Sequence, residues 1–340
     1  MIDMLLARIE GEWRASLEQA GVVICPPLSV LKIGDLSSMN CKINLLVFNA
    51  RAQHPALVLR LAHTAEQKVF LNKEYQALSG LAGNPCLSKS IPLPLGLYEL
   101  HRSLVAVEKY LPGVSMFALL ARRQHMHPAS VQRDFRLACD FLCELEQATN
   151  DGSLPFPGPD VVNSKVEQLA VAHGPLDLPK RTKERLLEIA SACQSLSFRR
   201  CSRQGDFWPG NLLVSPQGLG VIDWEGYAHP DPIFHDIFFF MTTYALFYPW
   251  RGWDKCPEEQ AFARGFLEKN WLANIINDTL CLFFQQWGLP PQAVYLLLTL
   301  YLIEMSLPAA IPNDPRYPRQ YDKWFGLFQV FIRGKSLLLD

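Results

Sequence analysis

Three polar residues in the second half of the chain have types and spacing that suit one kind of chemistry. Asp206 and Asn211 lie in Gln204-Gly205-Asp206-Phe207-Trp208-Pro209-Gly210-Asn211, and Asp223 follows twelve residues later in Val221-Ile222-Asp223-Trp224-Glu225. Phosphoryl transfer needs a carboxylate to orient a hydroxyl and receive its proton. It also needs hard oxygen ligands to hold magnesium against phosphates. Asp206, Asn211 and Asp223 are side chains of these types. A second D-x4-N pair, Asp35 and Asn40, has no carboxylate twelve residues beyond the Asn, so only Asp206, Asn211 and Asp223 meet the full spacing. The competing reading is that Gly205-Asp206 and Pro209-Gly210-Asn211 are simple turns.

The surrounding elements must bring these groups together. Leu212 to Val214 and Leu219 to Ile222, joined by Ser215-Pro216-Gln217-Gly218, predict a hairpin that returns Asp223 beside Asn211. Upstream, Val30 to Ile33, Ile43 to Phe48, Leu57 to Leu61, Leu93 to Tyr98 and Leu104 to Tyr110 read as strands. Between them, the apolar spacing predicts a helix over Lys68 to Leu81, stopped by Gly83. After the turn Leu111-Pro112-Gly113, helical patterns dominate: Ser115 to Arg123, Ala129 to Ala148, Arg181 to Ser195, Glu258 to Trp287 (whole or broken) and Gln292 to Ser306. Met1 to Ala20 reads as an amphipathic helix. The expected architecture is α+β, with a β-rich domain over 1–111 and a helical domain over 112–340.

Composition narrows the function classes. With 49% hydrophobic and 19% charged residues, the 340-residue chain is not disordered. A net charge of -1, from 32 basic and 33 acidic residues, offers no electrostatic case for nucleic acid. Nine cysteines without a C-x-x-C pair suggest a reducing compartment rather than a disulfide framework. The greasiest runs, Ile237 to Trp250 and Ala293 to Ile303, fall short of the roughly 18 to 20 apolar residues of a membrane span, so buried helices are expected. The start carries charges throughout and does not read as a signal peptide. The expectation is a soluble cytoplasmic protein with no nucleic-acid or membrane partner. His125, His127, Cys139 and Cys143 match no zinc spacing. Trp208 and Trp224 neighbour the proposed chemistry and are candidates for a pocket wall, whereas Phe238 to Phe240 read as core.

The segment Gln204 to Asp236 contains G-D-x-x-P-G-N, I-D-W-E and D-P-x-x-x-D. It resembles the aminoglycoside phosphotransferase and choline kinase family, small-molecule kinases with a protein-kinase-like fold. The resemblance extends to Leu57-Val58-Leu59-Arg60-Leu61 with Glu74, and to V-A-V-E-K-Y-L-P-G over Val105 to Gly113. It implies a two-lobed fold that binds ATP (or GTP) with Mg2+ in the cleft between a small β-rich lobe and a large helical one. The acceptor would be a hydroxyl of a small molecule. By resemblance, Asp206 orients that hydroxyl and takes its proton, and Asn211 and Asp223 hold magnesium. Asp236 braces the catalytic loop. Arg60 contacts phosphates and pairs with Glu74, and backbone groups over Glu108, Tyr110 and Leu111 bind the base. The turn Ser37-Ser38-Met39-Asn40 covers the phosphates.

Two positions depart from the family pattern: Gln204 stands where histidine is usual, and Arg60 where protein kinases have lysine. The first leaves an alternative open, a catalytically weak relative that senses nucleotide or binds a partner. Between residues 200 and 260, the acids not assigned to catalysis or bracing nearly balance the bases. The sequence therefore gives no particular support for a polycationic acceptor.

Overall fold

The computed structural model describes residues 1–33, 43–122, 127–176, 178, 180–231, 234–249, 256–307, 320–334 and 338. The chain divides into two compact units. The first comprises Met1–Ser115, Gln204–Asp206 and Asn211–Ala228, and the second Met116–Arg203, Phe207–Gly210 and His229–Asp340.

In the first unit, β1 (Ser29–Ile33), β2 (Ile43–Phe48), β3 (Leu57–Ala62), β4 (Pro94–Leu100) and β5 (Ser103–Lys109) form an antiparallel sheet ordered β1-β2-β3-β5-β4. Side chains alternate along a strand, so β3 serves both faces. Leu57, Leu59 and Leu61 join Val105 and Val107 in a core closed by Leu5 and Ile9 of α1 (Ile2–Glu10) and Leu17 of α2 (Arg14–Gln19). Each fully buried leucine there is worth about 1.5–3 kcal/mol. On the opposite face, Ala62 and Ala106 pack with Leu71 of α3 (Ala65–Leu81). Thr64 and Gln67 form a reciprocal capping box at the start of α3, satisfying two backbone donors that the helix itself cannot.

The helix expected over Met1 to Ala20 is two helices. The break falls at Gly11, a residue that costs a helix interior about 1 kcal/mol relative to alanine. Just beyond it, Trp13 is buried and stacks on Tyr98 with ring centroids 4.0 Å apart. Later in the chain, β9 (Leu212–Ser215) and β10 (Gly218–Val221) form the expected hairpin, and the two-residue β6 (Val114–Ser115) pairs with β9.

The described helices of the second unit are α4 (Met116–Ala121), α5 (Pro128–Thr149), α6 (Pro159–His173), α7 (Lys180–Cys193), α8 (Phe234–Phe247), α9 (Glu258–Phe266), α10 (Trp271–Gln285), α11 (Pro291–Met305) and α12 (Gln320–Arg333). A small sheet, ordered β11-β8-β7, joins β7 (Gly152–Pro155), β8 (Ser197–Arg203) and β11 (Ala228–Asp231). Every residue of α11 from Ala293 to Ile303 is buried, as a helix apolar on all sides requires. Phe238 of α8 lies against Phe284 of α10 and Tyr301 of α11. The long pattern over Glu258 to Trp287 is broken by Asn270, whose side chain accepts from the N–H groups of Leu272 and Ala273 and caps a new helix. Strand β8 escapes a sequence reading because Ser-Phe-Arg-Arg-Cys-Ser-Arg offers few apolar residues to alternate. Among the described residues, no helix is long and apolar enough to cross a membrane.

Candidate active site

The hairpin and the segment before it build the centre of the site within the first unit. Gln204 is fully buried, and its amide makes three bonds to the backbone. Its Oε1 accepts from Asp206 N at 2.7 Å, and its Nε2 donates to the carbonyls of Ile222, at 3.1 Å, and Asp223. One side chain therefore ties the Asp206 loop to the end of β10. Gly205 allows the two segments to pass closely. Its φ is +90°, and a Cβ placed on it would lie 2.1 Å from Gly226 O. No other residue fits both the dihedral and the space.

Asn211 Nδ2 donates to Asp206 Oδ2 at 2.8 Å and to the Asp206 carbonyl at 3.0 Å. This fixes the orientation of a half-buried carboxylate and turns the Asn211 amide oxygen the other way. Ile222 N donates to the Asn211 carbonyl at 3.0 Å, which sets the spacing between Asn211 and the residue that follows, Asp223.

Asp223 occupies the left-handed region, φ 62° and ψ 69°. Aspartate tolerates that region better than most residues other than glycine, and the neighbours hold it there. Gln204 takes the Asp223 carbonyl, and Glu74 Oε1 accepts from the next amide, Trp224 N, at 3.0 Å. Trp224, expected as a possible pocket wall, is instead fully buried, with Nε1 donating to Val221 O at 3.0 Å. Its ring anchors the turn after Asp223. Trp208 belongs to the second unit and is half-buried beside Phe117 and Phe247, with centroids 5.7 Å from each.

Arg60 lies in the same unit, deeply buried, with three carboxylates around it. Its Nη1 is 2.8 Å from Glu74 Oε1 and 3.3 Å from Asp223 Oδ1. Its Nε is 3.2 Å from Glu108 Oε1, an ion-pair contact whose angle falls short of hydrogen-bond geometry. Burial works against the guanidinium charge, but Glu108, Glu74 and Asp223 overcome it and hold the group above its ordinary pKa.

The sequence pattern missed the Glu108 carboxylate, which it treated only as part of a backbone stretch. The available signal was strand parity. Arg60 sits opposite Ala106 on β5, so Glu108, two residues on, shares its face at the end of the apolar run Leu104 to Val107. Nearby, Tyr110 N donates to the Ala56 carbonyl at 3.1 Å. Leu111 lies over Gly220, where a Cβ would come within 2.7 Å of its side chain. Ser37, Ser38 and Asn40 lie outside the described residues. Asp236 is buried in the first turn of α8, in the second unit.

The donor set suits a magnesium ion and nucleotide phosphates. Asp223, about a third exposed, has one carboxylate oxygen on Arg60, which leaves the second to a metal, and Asn211 offers an amide oxygen. Among the described residues, no group of three or more His, Cys, Asp and Glu could hold a metal by itself. Two protein oxygens completed by phosphates are the usual arrangement for magnesium, which is bound sparingly by protein ligands.

The sequence pattern of the phosphotransferase enzyme family matches residues 44–273. Among solved structures, the chain is similar to a thermostable mutant of an aminoglycoside phosphotransferase in a ternary complex with ADP and hygromycin B. That match has 14% identity and a TM-score of 0.47, and covers 94% of this chain and 97% of the other. A second is an aminoglycoside-3'-phosphotransferase of type VIII, at 19% identity and TM-score 0.42, covering 86% and 99%. A third is the apoenzyme of a macrolide 2'-phosphotransferase from Brachybacterium faecium, at 14% identity and TM-score 0.46, covering 88% and 91%. No curated protein gives a significant sequence match.

Proposed function

The chain belongs to the phosphotransferase enzyme family, and from that premise we propose that it transfers the γ-phosphoryl group of ATP (or GTP), with Mg2+, to a hydroxyl of a small molecule. The observation that carries this is the hydrogen bond from Asn211 Nδ2 to Asp206 Oδ2. It aims one carboxylate oxygen while the same amide presents its own oxygen for a cation. Asp206 then orients the acceptor hydroxyl and takes its proton as the new P–O bond forms. Asn211 and Asp223 would hold the magnesium, which supplies charge neutralisation at the phosphate oxygens when bound. Arg60, fixed by its carboxylates, keeps a permanent positive charge where phosphates would lie. Gln204 maintains the separation between Asp206 and Asp223 without taking part in proton transfer.

The glutamine in place of histidine also bears on the alternative, a sensor without turnover. An amide offers two donors and an acceptor, and all of them are used here. A fully bonded brace supports the enzyme over the sensor. The test is ADP release from ATP–Mg by purified protein across a panel of hydroxylated metabolites, amino alcohols, sugars and aminoglycosides, with Asp206→Ala as the control. Binding of ATP–Mg without ADP release from any acceptor would favour the sensor. No binding at all would reject both.

A further inference from the structure

Arg60 departs from lysine, and the structure contains a partner that lysine could not use. A lysine ammonium is a single point of charge. A guanidinium has an Nε edge as well as its terminal nitrogens, and can serve separate partners in one plane. At Arg60 the two parts are divided: Nη1 faces Glu74 and Asp223, and Nε faces Glu108. Glu108 and Glu74 are both almost completely buried, so neither charge can be left to water. Glu108 comes from the strand that pairs with β3, whereas Glu74 comes from α3. The guanidinium is thus held from the sheet on one side and from the helix on the other.

We propose that Glu108 is a positioning residue that commits this site to arginine: it holds the Nε edge of Arg60 so that Nη1 is presented to Glu74, Asp223 and the nucleotide phosphates. The assignment rests on the phosphotransferase reading for the phosphates, and on the ion-pair geometry alone for the rest. It predicts a specific coupling. Arg60→Lys loses the Nε contact and leaves a buried carboxylate at Glu108 without it. Glu108→Gln removes the buried charge that has lost this contact, so the second change relieves part of the damage done by the first. A glutamate serving only to fill space would give additive losses.

The experiment is a double-mutant cycle over the parent, Arg60→Lys, Glu108→Gln and the double variant. It reads ADP–Mg affinity by calorimetry and stability by thermal and urea unfolding, neither of which needs the acceptor. Arg60→Lys should weaken ADP–Mg binding by about 10- to 100-fold and Glu108→Gln by about threefold. The double variant should bind about tenfold more tightly than Arg60→Lys, with a melting temperature above that of Arg60→Lys. If the parent binds ADP–Mg and the losses are additive in both readouts, the role of Glu108 is overturned and the phosphotransferase assignment stands. If the parent does not bind ADP–Mg, both fall. Should Arg60→Lys fail to fold, Arg60→Met with and without Glu108→Gln supplies the same cycle. Absence of rescue there overturns the proposal equally.

Discussion

Gln204→Glu isolates the brace, because it exchanges one amide nitrogen for an oxygen without changing volume. In the parent, that nitrogen donates to the carbonyls of Ile222 and Asp223 while Oε1 accepts from Asp206 N. An ionised glutamate keeps only the last of these and turns an oxygen towards two carbonyls. Each buried acceptor left unsatisfied costs about 1–3 kcal/mol, so the ionised form should lose roughly 2–6 kcal/mol of stability. A proton on the carboxyl restores one donated bond and recovers about half of that. The new group therefore has a folded-state pKa raised above its unfolded value near 4.3. A raised value means that the variant fares best below about pH 4 to 5 and loses stability progressively as pH rises. Urea unfolding of parent and variant at pH 5 and pH 8 should show a gap that widens by about 0.3–2 kcal/mol at the higher pH, the rest of the loss already being present at pH 5. Gln204→His, with one donor and one acceptor in its neutral ring, should lose about 0.5–1.5 kcal/mol and show a much weaker trend. A gap for Gln204→Glu that is absent, or that narrows towards pH 8, would refute the brace.

Other outcomes follow from the same geometry. Asp206→Ala should keep the fold and lose roughly 10² to 10⁴ in turnover, checked by single-turnover assay beside a thermal melt. Asp223→Ala should abolish magnesium-dependent ADP binding in calorimetry while the apo protein still melts cooperatively; an unchanged titration removes Asp223 from the metal site. Gly205→Ala should lower stability by more than about 3 kcal/mol in urea, since φ is +90° and the new methyl would meet Gly226 O. Glu304 is held down at about 2 by the hydrogen bond from His235, with Lys165 adding to it. A depressed carboxylate stabilises above its unfolded value near 4.3 and loses that contribution as pH falls towards 2. Glu304→Gln should therefore unfold in acid with a shallower pH dependence between about 4 and 2; an identical acid limb would contradict the assignment.

The sequence by itself determined whatever depends on neighbours along the chain. The hairpin around Ser215 to Gly218 follows from two short apolar runs and a turn, so Asn211 and Asp223 had to meet. The strands of the first sheet and the helix ending at Leu81 follow from local periodicity, whereas its capped start at Thr64 came only with the structure, and the largely apolar run in α11 could only be buried. The motif around Asp206 carried the family with it. Strand β8 was hidden because its arginines and serines break the apolar alternation.

Tertiary structure decided which charges share a site. Arg60 and Asp223 are 163 positions apart, and no local pattern relates them. Glu108 reads as the polar end of a strand until the β3–β5 register puts it on the face of Arg60. Glu74 holds both a guanidinium and the Trp224 amide, a second bond invisible in a helical pattern. Trp224 reads as a pocket wall beside the chemistry, yet its ring is core. The physical reason is common to the three charged cases. Hydrophobic periodicity reports which side of an element is buried, whereas the partner of a buried charge is set by register and packing between elements distant in sequence.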